Sequence, residues 1–179
     1  MLRNGWVSFA LYLAVSGVSF AEEKKADPYA RIDVHPDCVL NDPENIVRNC
    51  GFETGDFEGW DLSGDFSNTF VTGDARHSGN FGAQFSSPGL AFIAQMLPTN
   101  PEQTHFVSIW FQSQGQPNEI QVYWDGNLIS DMMNVGNTIF TQYTWYGLVA
   151  STSLTELRIG ASNLTGFFYV DDIAVDPSP

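Results

Sequence analysis

The sequence predicts an all-β domain built as an antiparallel β-sandwich. From Val39 onward it contains eight or nine short apolar runs, separated by turn-forming residues at intervals of roughly 8 to 15 residues, as in known sandwiches. Several of these runs alternate apolar and polar residues, which is typical of strands with one buried face. No segment after Ala21 has the apolar repeat of an amphipathic helix, so we expect no helices.

The first 21 residues have the pattern of a secretory signal peptide. Arg3 supplies a positive start, residues 6–18 are mostly apolar, and residues 19–21 place small side chains at a cleavage site. The apolar stretch is shorter than the roughly 20 residues of a membrane span, so we expect cleavage after Ala21 rather than a membrane anchor. The mature protein is expected to be extracellular, with the periplasm or the cell surface as alternatives, and to have no membrane association.

Residues 22–37 are polar and charged, contain Pro28 and Pro36, and show no apolar period. This composition predicts a linker or a disordered arm. The sandwich domain is then expected to span residues 38–176, followed by a short tail at 177–179.

The chain contains two cysteines, Cys38 and Cys50, which flank an eleven-residue loop. In an exported protein this arrangement favours a disulfide bond, which would stabilise the fold by about 3 kcal/mol through loop entropy. A two-cysteine metal site is the alternative, but no histidine lies at a suitable spacing.

The predicted strands follow one another along the chain as short apolar runs that end at Gly, Asn, Asp or Pro. In the run at 105–112 large side chains occur at both alternating sets of positions, so we expect both faces to be at least partly covered. The predicted ranges are 66–71, 82–85, 92–97, 105–112, 120–124, 127–129, 141–150, 154–161 and 166–175.

The run at 120–124 and the residues after it predict a hairpin. Gln121 and Tyr123 alternate with apolar residues, so they should share the face opposite the apolar one. Asp125-Gly126 follows directly, and residues of this kind tolerate the positive backbone angles of a tight turn.

The charge of the chain excludes several classes of partner. The formal net charge is −14, and from Cys38 onward only Arg48, Arg76 and Arg158 are basic. Nucleic-acid binding needs clustered cations that displace counterions from phosphates, and none are present, so we expect no nucleic-acid partner. Neutral ligands, cations and other proteins remain open, and the oligomeric state is not predicted.

Two segments at opposite ends of the predicted domain resemble one known family. Residues 49–60 read NCGFETGDFEGW and residues 167–175 read FFYVDDIAV. This pair is similar to the opening and closing strands of jelly-roll, galactose-binding-like carbohydrate-binding modules of bacterial secreted proteins. The resemblance covers roughly residues 39–175 and implies that these two segments lie side by side. It also implies that Phe52, Phe57 and Trp60 are structural.

The same resemblance implies a structural calcium ion where the two segments meet. Hard cations take carboxylate and carbonyl oxygens as ligands. Asp172 is expected to point to the opposite face from its neighbour. The alternative is that no ion binds and that Glu53 pairs with Arg76 or Arg158. The ligands that the resemblance implies are the Gly51 carbonyl, Glu53, Asp74, the His77 carbonyl and Asp171.

Glycan binding is the second site that the sequence suggests. Sugars stack on aromatic rings, and amides read their hydroxyl groups, but most rings in a chain this aromatic must fill the core. Tyr123 with Gln121 is the preferred pair because the two share a face. The candidate residues, on strands that could share one surface, are Trp110, Gln112, Gln121, Tyr123, Tyr143 and Trp145.

Catalysis is not expected. The chain contains no Gly-x-Ser-x-Gly or His-Glu-x-x-His motif, although a pair of carboxylates for glycoside hydrolysis stays open. The sequence therefore predicts a secreted, non-catalytic module that binds glycan, either extracellular polysaccharide or cell-wall carbohydrate. A structural or adhesive matrix protein is the first alternative, and a small glycan-active enzyme is the second.

Overall fold

The structure is a computed structural model that describes residues 42–178. The predicted signal peptide, the linker at 22–37 and Cys38 lie outside the described residues, so the disulfide partner of Cys50 stays a prediction. The strands are β1 Asp61–Gly64, β2 Thr69–Thr72, β3 Gly82–Phe85, β4 Ala91–Pro98, β5 Thr104–Gln114, β6 Asn118–Trp124, β7 Asn127–Met133, β8 Thr141–Val149, β9 Leu154–Asn163 and β10 Phe167–Pro177.

The ten strands of the described chain form two antiparallel sheets of five strands each. The first sheet has the order β1-β4-β9-β6-β7, and the second has the order β2-β3-β10-β5-β8. All predicted strands are present, and most of them are longer than predicted by one to four residues. The prediction for 66–71 is wrong at its start, since β2 begins at Thr69, and the prediction for 141–150 is one residue too long. Strand β1 was missed because all four of its side chains are exposed, so it has no apolar alternation. Between residues 42 and 178 the expectation of no helix fails only for one 3-10 turn, Gly73–Ala75.

The core lies between the two sheets and is built from the inward-facing side chains of both. Phe52 and Trp60 lie outside the strands and stack with ring centroids 6.0 Å apart, and Phe57 packs edge-on against Phe52. These three rings are structural, as expected. The largest fully buried side chains include Phe52, Phe85, Phe111, Phe168, Ile93, Ile120, Leu157 and Ile159.

Each sheet also has an outer face, set by the alternation of side chains along its strands. In β5 the side chains of Val107, Ile109 and Phe111 face the core, so the residues between them lie on the outer face of the second sheet. In β6 the side chains of Ile120 and Val122 face the core, so the residues next to them in the strand lie on the outer face of the first sheet. The described chain contains no helix with the length and hydropathy of a membrane span.

The two ends of the domain are hydrogen-bonded neighbours, as the motif pair implied. Asn45 is buried, and its side-chain amide donates to the Ile173 carbonyl while its Oδ1 accepts from the Val175 amide. The Ile46 amide donates to the Val175 carbonyl, and the Ile173 amide donates to the Cys50 carbonyl. Residues 45–50 therefore run along β10 and bring the NCGFE segment next to the DDI segment.

The turn between β6 and β7 is the predicted hairpin. Trp124 faces Asn127 in the ladder, and Asp125 and Gly126 have φ angles of 51° and 75°. Both angles are positive, as a tight two-residue turn of this hand requires.

Candidate functional site

The junction of the two motif segments is organised around the turn at 77–81. Asp171 is fully buried, and its Oδ2 accepts hydrogen bonds from the backbone amides of His77 at 2.6 Å and Ser78 at 3.0 Å. Its Oδ1 accepts from the amide of Asp172 at 2.8 Å. One carboxyl group of β10 thus holds the first half of the turn.

Glu53 holds the second half of the same turn. Its carboxyl group accepts hydrogen bonds from the backbone amides of Asn80 at 2.8 Å and Phe81 at 3.0 Å, and from the Asn80 side chain at 3.1 Å. Within the described residues Glu53 makes no ion pair with Arg76 or Arg158, so the alternative pairing is wrong. Arg76 instead donates to the Gly73 carbonyl, and the Arg158 guanidinium lies over the Tyr123 ring.

The carboxyl groups of Asp171 and Asp172 and the methylene stem of Glu53 lie beside Gly51. A Cβ atom placed on Gly51 would lie 3.5 Å from Asp171 Oδ1, 3.6 Å from Asp172 Oδ1 and 3.7 Å from Glu53 Cγ. The expectation that Asp172 faces away from Asp171 is therefore wrong. The ladder of β10 is interrupted between Asp171 and Ala174, and Asp172 has a φ of 45°, so simple alternation fails at this point.

The buried position of Asp171 is electrostatically costly in the absence of a cation. Burial, with a further contribution from the charge of Asp172, raises the pKa of Asp171 to about 8, although three backbone amides act in the opposite direction. Asp172 accepts from Ser78 Oγ at 2.8 Å and lies 2.6 Å from His77 Nδ1. A hard cation beside Gly51 would stabilise both carboxylates as charged groups.

The donor set fits calcium in chemistry, but it is smaller than expected. The expected ligands that meet at the junction are Gly51, Glu53, His77 and Asp171. Asp74 does not join them, because it lies exposed in the 3-10 turn. It is close to Tyr169 instead, where burial, with a further contribution from the charge of Asp74, raises the pKa of the hydroxyl group. Across residues 42–178 no three acidic, histidine or cysteine side chains are placed to hold one metal ion. Any ion here would need backbone carbonyl oxygens as well.

The turn depends on Gly79, which has a φ of 60°, and a side chain there would collide with Glu53 Oε1. Gly79→Ala should displace Glu53 from its three donors. Gly126→Ala is a matched control because Gly126 has a φ of 75° and open space around it. We expect Gly79→Ala to lower the free energy of unfolding by about 1 to 3 kcal/mol more than Gly126→Ala. Equal losses in chemical denaturation would show that Glu53 does not hold the turn.

The outer face of the second sheet carries a row of alternating aromatic and amide side chains. Phe70 of β2 lies opposite Gln84 of β3, Gln84 lies opposite Tyr169 of β10, and Tyr169 lies opposite Gln112 of β5. We call these four residues the aromatic–amide row. With strands about 4.8 Å apart, the row spans about 14 Å across four adjacent strands.

The side chains of the aromatic–amide row are accessible. Phe70 is 44% exposed, and the other three are half-buried. The Tyr169 ring stacks on Phe167 with centroids 3.9 Å apart, which holds it in a fixed orientation. The side-chain amide of Gln112 forms no hydrogen bond with any described residue, so it is available to a ligand.

The structure divides the predicted glycan-binding residues among three places. Gln112 and Trp110 lie on the outer face of the second sheet, where His77 stacks on Trp110 at 4.0 Å. Tyr143 and Trp145 lie opposite the core residues Ile109 and Val107 and pack against the core. The expectation of one shared surface is therefore wrong, because alternate residues of β8 point inward at these positions.

Gln121 and Tyr123 share a face, as expected, but it is the outer face of the first sheet. The Tyr123 hydroxyl donates to Gln121 Oε1 at 2.7 Å, and the Arg158 guanidinium lies 4.1 Å from the Tyr123 ring centroid. One face of that ring is therefore already covered. Phe70, Gln84 and Tyr169 were not predicted, because their alignment across β2, β3 and β10 follows from strand register, which the sequence does not reveal.

A cavity of about 610 Å³ lies on the same side of the second sheet as Phe106 and Trp110. Among the described residues that line it, four are acidic and none is basic. It is lined by Asp42, Asn45, Cys50, Gly51, Glu53, Ser78, Gly79, Phe106, Ser108, Trp110, Gln142, Asp172, Ile173, Ala174 and Asp176.

The structure is similar to those of carbohydrate-binding modules. TmCBM61, solved in complex with β-1,4-galactotriose, has a TM-score of 0.65 and 19% identity over 75% of this chain and 99% of that one. A family 16 carbohydrate-binding module has a TM-score of 0.55 and 18% identity over 73% of this chain and 99% of that one.

A third similar structure is the K1 adhesin domain of Lys-gingipain from Porphyromonas gingivalis W83. Its TM-score is 0.55, with 12% identity over 72% of this chain and 96% of that one. No protein-family model matches the sequence, and no curated protein matches it. The two antiparallel five-stranded sheets and these similarities establish that the chain has the jelly-roll β-sandwich fold of carbohydrate-binding modules.

Proposed function

We propose that this domain is a secreted, non-catalytic module that binds glycan through the aromatic–amide row. The observation that carries the proposal is the register that lines up Phe70, Gln84, Tyr169 and Gln112 on one outer face. Sugar rings present apolar C–H faces that pack on aromatic side chains, while amides both donate to and accept from hydroxyl groups. The modules of similar fold support a glycan as the ligand.

The row suits an extended ligand that lies across the sheet. Its two rings, Phe70 and Tyr169, are two strands apart, so they are about 10 Å from each other. An amide follows each ring along the row, and this alternation offers one stacking surface and one polar group in turn. A linear polysaccharide has the matching alternation of ring faces and hydroxyl groups.

Tyr169→Ala is expected to weaken retention of the domain on its polysaccharide in affinity electrophoresis. The change removes one of the two rings of the row and leaves the hydrogen bonds of the β10 backbone in place. A loss of about two- to tenfold in affinity is expected, because stacking on an aromatic ring contributes about 0.5 to 1.5 kcal/mol.

Tyr123→Ala is the matched control, because Tyr123 is a half-buried tyrosine on the outer face of the other sheet. This variant should keep its retention if the row binds the glycan. If Tyr123→Ala loses retention and Tyr169→Ala keeps it, the binding surface is the outer face of the first sheet. If a glycan array gives no signal with the native protein, the adhesive alternative is favoured.

The adhesive alternative is supported by one observation, the similarity in fold to the K1 adhesin domain. It predicts self-association or protein binding without sugar. Sedimentation at increasing concentration, with and without the glycan that the array identifies, would distinguish the two functions.

We also propose a structural calcium ion at the Gly51 junction. It is supported by the two carboxyl groups of Asp171 and Asp172 beside Gly51, by the side chain of Glu53 at the same position and by the burial of Asp171. Glu53 and Asp171 would be its carboxylate ligands, and backbone carbonyls, including those of Gly51 and His77, would complete the oxygen set. The proposed disulfide between Cys38 and Cys50 would tie the preceding segment to the same junction.

A further inference from the structure

The cavity beside β5 and β10 contains a carboxyl group that the proposed glycan site and calcium site do not use. Asp176 is 2% exposed, and neither of its carboxyl oxygens has a hydrogen-bond partner among the described residues. Asp176 lies opposite Phe106 in the ladder, on the outer face of the second sheet, and lines the cavity together with Asp42. A buried, unpartnered carboxyl group is costly unless it is protonated or meets a cation.

The groups that face Asp176 are acidic. Burial is the main reason that its pKa is raised to about 7. The charge of Asp42, a hydrogen bond with the Asp42 carboxyl group when one of the two acids is protonated, and the charge of Glu44 raise it further, so the two carboxyl groups face each other without a described donor between them. No basic residue lines the cavity within the part of the chain that the structure describes. No described basic residue therefore balances the charge of Asp176 at this end of the cavity. This favours a bound cation that is not part of the protein.

The size and shape of the cavity argue for an organic cation over a metal ion. A volume of about 610 Å³ is in the range of small-molecule sites and far larger than one ion needs. Gly51 and Glu53 of the proposed calcium site also line this cavity, so an ion bound there would leave most of the volume, including the part beside Asp42 and Asp176, for a second ligand. Phe106 and Trp110 line the same cavity and offer aromatic surface to the body of a ligand.

We propose that this cavity binds the ammonium group of an amino sugar between Asp42 and Asp176. The sugar body would pack beside Phe106, and its hydroxyl groups would meet Gln142 and Ser108, which also line the cavity. The ammonium group donates three hydrogen bonds and would satisfy both oxygens of Asp176. The choice of a saccharide as the carrier of the amine rests on the proposed function, whereas the positive charge follows from the cavity itself.

The test is isothermal titration of the full chain with a β-1,4-linked glucosamine trimer and with its fully N-acetylated counterpart, at pH 7 and low salt. Acetylation removes the positive charge and keeps the sugar body. We expect the glucosamine trimer to bind at least tenfold more tightly. Asp176→Asn should abolish this preference, because a neutral amide keeps the size of the side chain and removes its charge.

Two further variants keep the test decisive. Asp42→Asn removes the other carboxylate and should also reduce the preference, so the inference remains testable if Asp176→Asn does not fold. Asp131→Asn removes one exposed acid from the first sheet and should leave the preference unchanged, which separates a local effect from one of net charge.

Equal affinity for the two trimers, or a preference that survives both cavity variants, would overturn the inference. Competition by millimolar calcium that disappears in Asp176→Asn would assign a metal ion to the cavity and would also overturn it. Failure of the proposed function is separate, because it is measured as retention of Tyr169→Ala on neutral polysaccharide. Amine-dependent binding that Tyr169→Ala retains would leave this inference standing and reject the aromatic–amide row.

Discussion

Chelation of calcium with EDTA is expected to lower the melting temperature of this protein by roughly 10 °C, and excess calcium should restore it. A ligand at a thousand times its dissociation constant stabilises the folded state by about 4 kcal/mol. For a domain of this size each kcal/mol corresponds to about 2 to 4 °C. The physical reason is that Asp171 is fully buried beside Asp172 and Glu53, so a cation removes an electrostatic cost that backbone amides offset only in part.

The matched variant for this experiment is Glu53→Gln, which keeps the size of the side chain and removes one proposed carboxylate ligand. Its melting temperature should be lower in calcium and nearly insensitive to EDTA. Ser67→Ala, at an exposed turn, should retain the full response of the native protein. A native melting temperature that is the same in calcium and in EDTA would show that backbone amides alone hold the junction carboxylates.

Asp176 is expected to make the protein less stable as the pH rises from about 4 to about 7. Its pKa is raised from an ordinary value of 3.8 to about 7 by burial and by the neighbouring acids. Over this window the carboxyl group is ionised in the unfolded chain and protonated in the folded one, so the unfolded chain gains relative stability with pH. Above about pH 7 both states are ionised, and the loss is complete.

The size of this effect is on the order of 2 to 4 kcal/mol, since each pKa unit corresponds to about 1.4 kcal/mol. It is measured as the difference in free energy of unfolding between Asp176→Asn and the native protein at several pH values. Titrating groups that do not interact with Asp176, including His105, cancel in the difference, whereas Asp42 and Glu44 interact with it, so the difference reports the whole acidic cluster. We expect the difference to move in favour of the variant between pH 4 and pH 7.

A difference that does not change with pH would mean that Asp176 keeps an ordinary pKa in the folded protein. That result would require a counter-charge beside the carboxyl group. Adding the glucosamine trimer should reduce the loss of stability that the native protein shows as the pH rises, because a bound ammonium group stabilises the charged form of Asp176. The same pH series with and without this ligand therefore links the stability of the domain to its proposed cavity.

The class of fold could be predicted from sequence because its signals are local. Alternation in 105–112 and 120–124 identifies strands, and Asp125-Gly126 identifies a hairpin from two adjacent residues. Strand β1 could not be predicted, because its four side chains are exposed and carry no apolar period.

The candidate site was predictable only in part. Gly51, Glu53, His77 and Asp171 could be grouped because they belong to two motif segments and one turn. Asp172 was expected on the wrong side, since the interruption of the β10 ladder depends on its pairing with β5. Tyr143 and Trp145 were assigned to a surface, although their position opposite Val107 and Ile109 turns them toward the core.

The sequence by itself determined that this chain is a β-sandwich, that it is acidic and that its two ends meet. Each of these properties depends on composition, on spacing within one strand or on a recognisable pair of motifs. Only the tertiary structure decided which side chains share a surface. The aromatic–amide row joins β2, β3, β10 and β5, and the cavity joins Asp42 to Asp176. Both depend on strand order and register, which arise from contacts between residues far apart in the chain.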